Sequence, residues 1–368
     1  MIKPNQIKCS IAMLSTFLAI LISLSNSSCK KDLIEPTPNP PQTEIISEEL
    51  EVPQKYDYYV ASSKELLAAA AKASKGQTIY VADNAKIDMA QKGTIGLQAG
   101  VTLMSGRGNK DKNGKLIPGG MIFSTDLGQR PLIDVRGKGV RIANIRLVGP
   151  DTLQQVERMK ELKATGQFYT VPYCQGVVTD YSDFVIEGSE LCGWSHAAIL
   201  IKKNCRNAKV LNNYIHHNQR YGLGYGVCLS GGEALIKGNT FNWNRHSITG
   251  SGVPGEGYEA CNNTVLQYGL AEAFDMHGGD DRKDGTTIAG QYVNIHDNVF
   301  YFKEIFKDII VNGRPIDYLY VKNNKFIKPN QTKAVRMHKD VNNSTVLDNT
   351  YGIPEKQISV ELDTYMLK

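Results

Sequence analysis

The chain reads as an all-β protein, a single-stranded right-handed parallel β-helix with one capping α-helix at its N-terminal end. Three observations predict this: a short β phrase ending in Asn that returns about every 25 residues, a second apolar strand after each copy, and one alanine-rich helical stretch ahead of them. The copies AKVLNNYIHH, ALIKGNTFNW, YEACNNTVLQ, VNIHDNVFYF, LYVKNNKFIK and STVLDNTYG place Asn213, Asn239, Asn263, Asn298, Asn324 and Asn349 at spacings of 26, 24, 35, 26 and 25 residues. Weaker copies at Asn144 and Ser189 extend the register towards the N-terminus. Alternating apolar positions, such as Val210 and Leu235, fit strands too short to bury one face alone, so stacked coils must supply the cover. The repeated Asn suits a left-handed turn and an amide ladder between coils. Leucine-rich repeats share the period but not the absence of a recurring helix pattern.

The elements follow in order. Lys3 and Lys8 precede the apolar run Ile11 to Leu24, which is too short to span a bilayer and right for the core of a signal peptide. Ser28-Cys29-Lys30-Lys31-Asp32 resembles a bacterial lipoprotein signal, which implies a lipid on Cys29, a membrane as partner, and an outer-membrane protein on the periplasmic or surface side; Asn26 departs from the usual pattern, and plain secretion is the alternative. Residues 1–28 are thus expected to be a signal peptide and 29–54, with Pro36, Pro38, Pro40 and Pro41, a disordered tether. Residues 55–368 form the β-helix domain, for which 41% hydrophobic content and 34 glycines allow one long core. Cys174, Cys192, Cys205, Cys228 and Cys261 are odd in number and lack CxxC spacing, so buried thiols are expected over a Cys192–Cys205 bridge.

Ser62-Ser63-Lys64-Glu65 is a capping-box signature, Leu66 through Ala73 a helix, and Gly76 its stop. The continuation KGQTIYVADNAKIDM and LQAGVTLMSGRG resembles the opening of the pectate-lyase-like β-helix superfamily, a likeness extending over about residues 58–352. It implies the fold; the superfamily's lyases, glycoside hydrolases, esterases, epimerases and adhesins leave the reaction open.

The second strands are AAILIK, GVCLS, RHSITG, AFDMHG, DIIVNGR and AVRMHK. With Ile199, Val227, Phe274, Val311, Val335 and Met337 inward, Asp275 and His277 point out, and Arg336 and His338 share their face two coils on, roughly 10 Å away. Asn312 and Arg314 are expected between them, and Arg245 and His246 at the corresponding corner one coil earlier. The segments around RHSITG, GYEACNN and AFDMHGG resemble a group of secreted bacterial and archaeal β-helix proteins, a likeness that identifies relatives and no substrate.

Asp275 beside His277 is a carboxylate placed to set an imidazole for proton transfer, with His246 or Tyr258 as second group. His216, His217 and His296 read as satisfied polar side chains. Asp280, Asp281 and Asp284 form an acidic loop that could take calcium, without EF-hand spacing, and His246, His277 and His338 with Asp275 a weaker transition-metal set; no cofactor is required by the sequence.

Three function classes fit. A polysaccharide lyase acting on an acidic, uronate-containing glycan would use Arg245, Arg314 and Arg336 as cations and His277, His246 or Tyr258 for protons, with Asn312, Glu259 and Tyr225 beside the substrate. A glycoside hydrolase would pair Asp275 with Glu259, Asp280 or Asp281, although the polygalacturonase motif order and the pectate-lyase Trp-Ile-Asp-His run are both missing. A carbohydrate-binding or adhesion protein would stack sugars on exposed Tyr221, Tyr225, Trp194 and Trp243. The net charge of +5 suits an acidic glycan mildly. No nucleotide loop or basic run points to nucleic acid, and a monomer is expected.

Overall fold

The computed structural model describes residues 56–338 and 344–356. The signal peptide, Cys29 with the whole of the tether, and the end of the C-terminal tail lie outside the described residues. The rest is a parallel β-helix whose chain visits three walls in turn and returns to each one coil later. The first wall has 11 strands, from Tyr58–Val60 to Ser344–Leu347; the second has 10, from Lys86–Asp88 to Thr350–Tyr351; the third has 9, from Ile95–Leu97 to Val335–Met337. Every pairing between these strands is parallel.

The core follows from register. On the first wall Ile79, Leu103, Ile142, Ile186, Val210, Ile236, Ala260, Ile295 and Val321 occupy one column, all fully buried. Burying each large aliphatic contributes roughly 1.5–3 kcal/mol, but only because the coil on either side covers it. Leu235 is a correction: it pairs with Lys209 on the outer row, and Ile236 fills the inward place beside Val210. The second wall ends in an aromatic stack, with Phe300, Phe326 and Tyr351 at centroid spacings of 4.9 and 5.3 Å.

The Asn phrase divides its two expected jobs between neighbours. The left-handed turn belongs to the preceding residue, Asn212, Gly238, Asn262, Asp297, Asn323 or Asp348, each at positive φ. The following Asn is free to build the ladder: the side-chain oxygen of Asn239 accepts from the backbone and side-chain amides of Asn213 at 2.9 and 3.0 Å, and the pattern repeats to Asn349. Asn144, at φ 53, belongs to the turn column, while Ser189 joins the ladder by donating its amide to Asn213.

Helix α1 (Ser63–Lys72) closes the N-terminal end. The Ser62 hydroxyl accepts from the Glu65 amide, the Glu65 carboxylate accepts from the Ser62 amide, and Leu66, Ala69 and Ala70 are buried against the first coils. At the other end residues 352–356 lie along the second-to-third-wall corner, where Gly352 donates to the Lys328 carbonyl and Gln267 to that of Lys356. The five cysteines after Cys29 are unpaired and buried, as expected.

Candidate active site

The outer face of the third wall gathers most of the candidate site residues. Side chains alternate along a strand, so the inward column Val227, Ile248, Phe274, Ile309 and Val335 sends its neighbours outward. Thr249, Asp275, Ile310 and Arg336 therefore share one outer column. His277, Asn312 and His338 continue the same strands, donating their amides to Gly250, Met276 and Val311.

At the centre is the Asp275 carboxylate, only 6% exposed. Its Oδ2 lies 3.0 Å from His277 Nε2 and 3.4 Å from His246 Nε2, and its Oδ1 accepts from the Asn312 amide at 3.4 Å. Asn312 Oδ1 accepts from Arg336 at 2.9 Å, so residues of three successive coils form one bonded chain. Burial by itself would raise the Asp275 carboxyl; the His277 hydrogen bond and neighbouring positive charge outweigh it and hold the group below the ordinary range. The same hydrogen bond raises His277 above the ordinary histidine value, against the effect of its own partial burial. His277 keeps 37% of its side chain exposed, and with Nε2 given to Asp275 it presents Nδ1 to an incoming group.

His246 differs. It is 1% exposed, and burial pushes it down to about 4. Its Nδ1 bonds the Glu272 carbonyl at 2.6 Å, and its ring stacks on Tyr225. It underpins Asp275 from beneath and does not face solvent. Arg245 reaches the Tyr225 hydroxyl at 3.4 Å, with its guanidinium 5.6 Å from that ring.

The strip runs between two hollows. One, of about 640 Å³, is lined by Lys163, Phe168, Tyr169, Tyr221, Arg245 and Phe306. It exists because an insertion carrying α2 (Val156–Ala164) is tied to the coils by Arg220, whose guanidinium bonds Asp151 with both groups 1% exposed. The smaller, of about 310 Å³, is lined by Asp280, Asp281, Asn312, Arg336 and His338. Short helix α3 (Gly279–Arg282) forms its edge. Gly278 lets the chain pass there, since a Cβ would fall 1.8 Å from the Asn312 carbonyl.

The sequence expectations divide accordingly. Asp275, His277, His246, Asn312 and Arg336 come together; Tyr225 and Arg245 adjoin them, and His338 lines the smaller hollow. Tyr258 is a correction: it is fully buried in the core of the first wall, where no proton transfer to a sugar is open to it. Glu259 is another, because it faces outward on the first wall and meets His296. Arg314 is exposed just past its strand, its backbone paired with Ile288, and among the described residues no hydrogen bond or ion pair joins it to the Asp275 cluster. Trp194, expected to be exposed, is fully buried, and Trp243 stacks between His217 and Tyr268. In the acidic loop Asp281 accepts from the Gly278 amide, and Asp284 accepts from Thr286 and Arg282. His216 and His296 each lie 3.2 Å from a glutamate oxygen, Glu190 and Glu259.

Glu256 was not anticipated. Fully buried, it accepts from Ser251 and from the Gly231 and Gly252 amides, and so fixes the turn that passes under His277. An acid set between glycines in VPGEG was the available signal.

No family model matches this chain, and no curated protein matches it. Among solved structures it is similar to an alginate lyase from Paenibacillus sp. str. FPU-7, with a TM-score of 0.52 and 12% identity over 80% of this chain and 94% of that one. It also matches a family 28 exopolygalacturonase of Yersinia enterocolitica (TM-score 0.46, 13% identity, 78% and 62% covered) and a tailspike protein of E. coli bacteriophage HK620 (0.46, 13%, 78% and 53%). At 12% identity the first of these likenesses shows the fold alone, the right-handed parallel β-helix.

Proposed function

We propose that the protein is a carbohydrate-active enzyme, a polysaccharide lyase that cleaves a uronate-containing glycan by β-elimination along the outer face of the third wall. One observation carries this: a half-exposed imidazole, His277, is oriented by a buried carboxylate and stands beside the Asn312–Arg336 pair. Arg336 neutralises the sugar carboxylate, which acidifies the adjacent C–H. His277 Nδ1 takes that proton; the C–H electrons form the carbon–carbon double bond as the glycosidic C–O bond breaks, and the leaving oxygen receives a proton. With Tyr258 in the core and His246 beneath Asp275, His277 is the imidazole that a carboxylate orients toward a groove-bound sugar, and it carries both transfers. The likeness to an alginate lyase structure is compatible with this chemistry on this scaffold.

Incubating the protein with uronate glycans, with and without added calcium, tests the reading. A near-ultraviolet absorbance from the conjugated double bond, rising with new chain ends, is the expected result. New reducing ends without that absorbance make it a hydrolase, and binding with neither makes it a carbohydrate-binding module. The pH dependence has a definite sign. The Asp275 bond raises His277 above its usual value of about 6.5, and a base works only when deprotonated, so kcat/KM should fall as pH drops through a midpoint above about 6.5. In Asp275→Asn that midpoint should move down; an unmoved midpoint would separate the titration from this pair.

The proposal extends to location: an exported protein held at the membrane by a lipid on Cys29. Recovery of the wild-type chain entirely in the soluble fraction of broken cells would remove the anchor.

A further inference from the structure

The outer face of the first wall carries a second cluster, built from residues the elimination chemistry does not use. Cys261, at the end of strand Gly257–Cys261, pairs in register with His296, at the end of Tyr292–His296. Glu259 lies two residues before Cys261, so alternation puts it on the same outer face while Tyr258 and Ala260 point into the core. Glu259 Oε1 is 3.2 Å from His296 Nε2 and 3.7 Å from Cys261 Sγ, and all three ligand atoms lie within 4.8 Å of one another. Tetrahedral zinc with bonds of about 2.0–2.3 Å holds its ligand atoms roughly 3.3–3.7 Å apart.

A second feature concerns the tautomer. His296 Nδ1 lies 2.6 Å from Asp297 Oδ2, and a carboxylate can only accept, so the proton sits on Nδ1. In the neutral ring Nε2 then carries a lone pair aimed at another acceptor, the Glu259 oxygen. A second proton on Nε2 satisfies both carboxylates, and a cation held by Nε2, Glu259 and Cys261 does so as well. A carboxylate bonded to the far nitrogen of a histidine is also how metal-binding imidazoles are oriented.

A near-copy of the cluster shows what differs. Glu190, Cys192 and His216 repeat the arrangement on the second wall, again with a 3.2 Å Glu–His contact. There Arg107 lies 3.6 Å from Glu190 and already supplies positive charge. Around Glu259 the neighbouring rungs hold Lys237 and Lys322, and among the described residues neither forms an ion pair with it.

We propose that Glu259, Cys261 and His296 bind a zinc-type divalent ion, with Asp297 orienting the histidine and the fourth position open to solvent. The ion would clamp the two strands that flank the coil with the 35-residue spacing.

The test is a Co²⁺ titration of the untagged, metal-depleted full chain. One equivalent should produce a near-ultraviolet thiolate-to-cobalt charge-transfer band, which Zn²⁺ displaces. The band should vanish in Cys261→Ser and persist in Cys192→Ser, and Asp297→Asn should weaken binding about tenfold or more. Zn²⁺ should also raise the thermal unfolding midpoint of the wild type and leave that of Cys261→Ser unmoved. Circular dichroism checks that each variant is folded. Absence of the band in folded wild type, or its survival in Cys261→Ser, overturns the proposal.

Discussion

His277→Ala is expected to keep its fold and to lose turnover by about 10²- to 10⁴-fold, the usual contribution of a positioned proton-transfer group. The fold should survive because the imidazole is partly exposed and belongs to no core column, so its removal opens no cavity. Removing it frees one lone pair of Asp275, which still meets Asn312 and His246. The measurement is initial rate on the glycan that the wild type cleaves, with unfolding followed in parallel. Wild-type rates in the variant would move the reaction off this wall. Loss of activity together with loss of fold would demand the milder His277→Gln before anything is concluded.

The largest stability effect is expected from Asn239→Ala. This fully buried amide accepts from both amides of Asn213 and donates to the carbonyls of Val210 and Lys237 and to Asn263 Oδ1. Alanine removes this partner where water has little access; the Lys237 carbonyl keeps the Asn212 amide and Asn263 Oδ1 keeps the backbone amide of residue 239, so the loss falls chiefly on the Asn213 backbone amide and the Val210 carbonyl. At about 1–3 kcal/mol for each unmet buried group, partly relieved by relaxation, the loss is on the order of 3–5 kcal/mol in urea unfolding. Asn349→Ala, on the last and half-buried rung, should cost about 1 kcal/mol. Equal losses at the two positions would mean that the ladder is not what holds the coils in register.

Much of the groove was legible in the sequence because stacked parallel strands admit little sliding. Once Phe274, Val311 and Met337 are inward, Asp275 and Arg336 must share an outer column, and His277 and His338 the next. The same reasoning went astray at Tyr258 and Glu259. Their nearness in sequence to RHSITG suggested nearness in space, but the chain turns a corner at Ser251 to Glu256 and delivers them to the first wall. Alternation tells in from out along a strand; it does not tell which wall the strand joins.

What the sequence by itself determined was the solenoid, its register and its capping helix, because each rests on local signals: an amide at a fixed place, a two-residue alternation, a serine three residues before a glutamate. What only the tertiary structure decided was which outward groups meet. His246 lies buried beneath Asp275 rather than on the open face of the groove, Trp194 lies in the core, and the α2 insertion builds a hollow against Arg245. These depend on how corners turn and where inserted segments land, and that is set by packing among residues far apart in the chain.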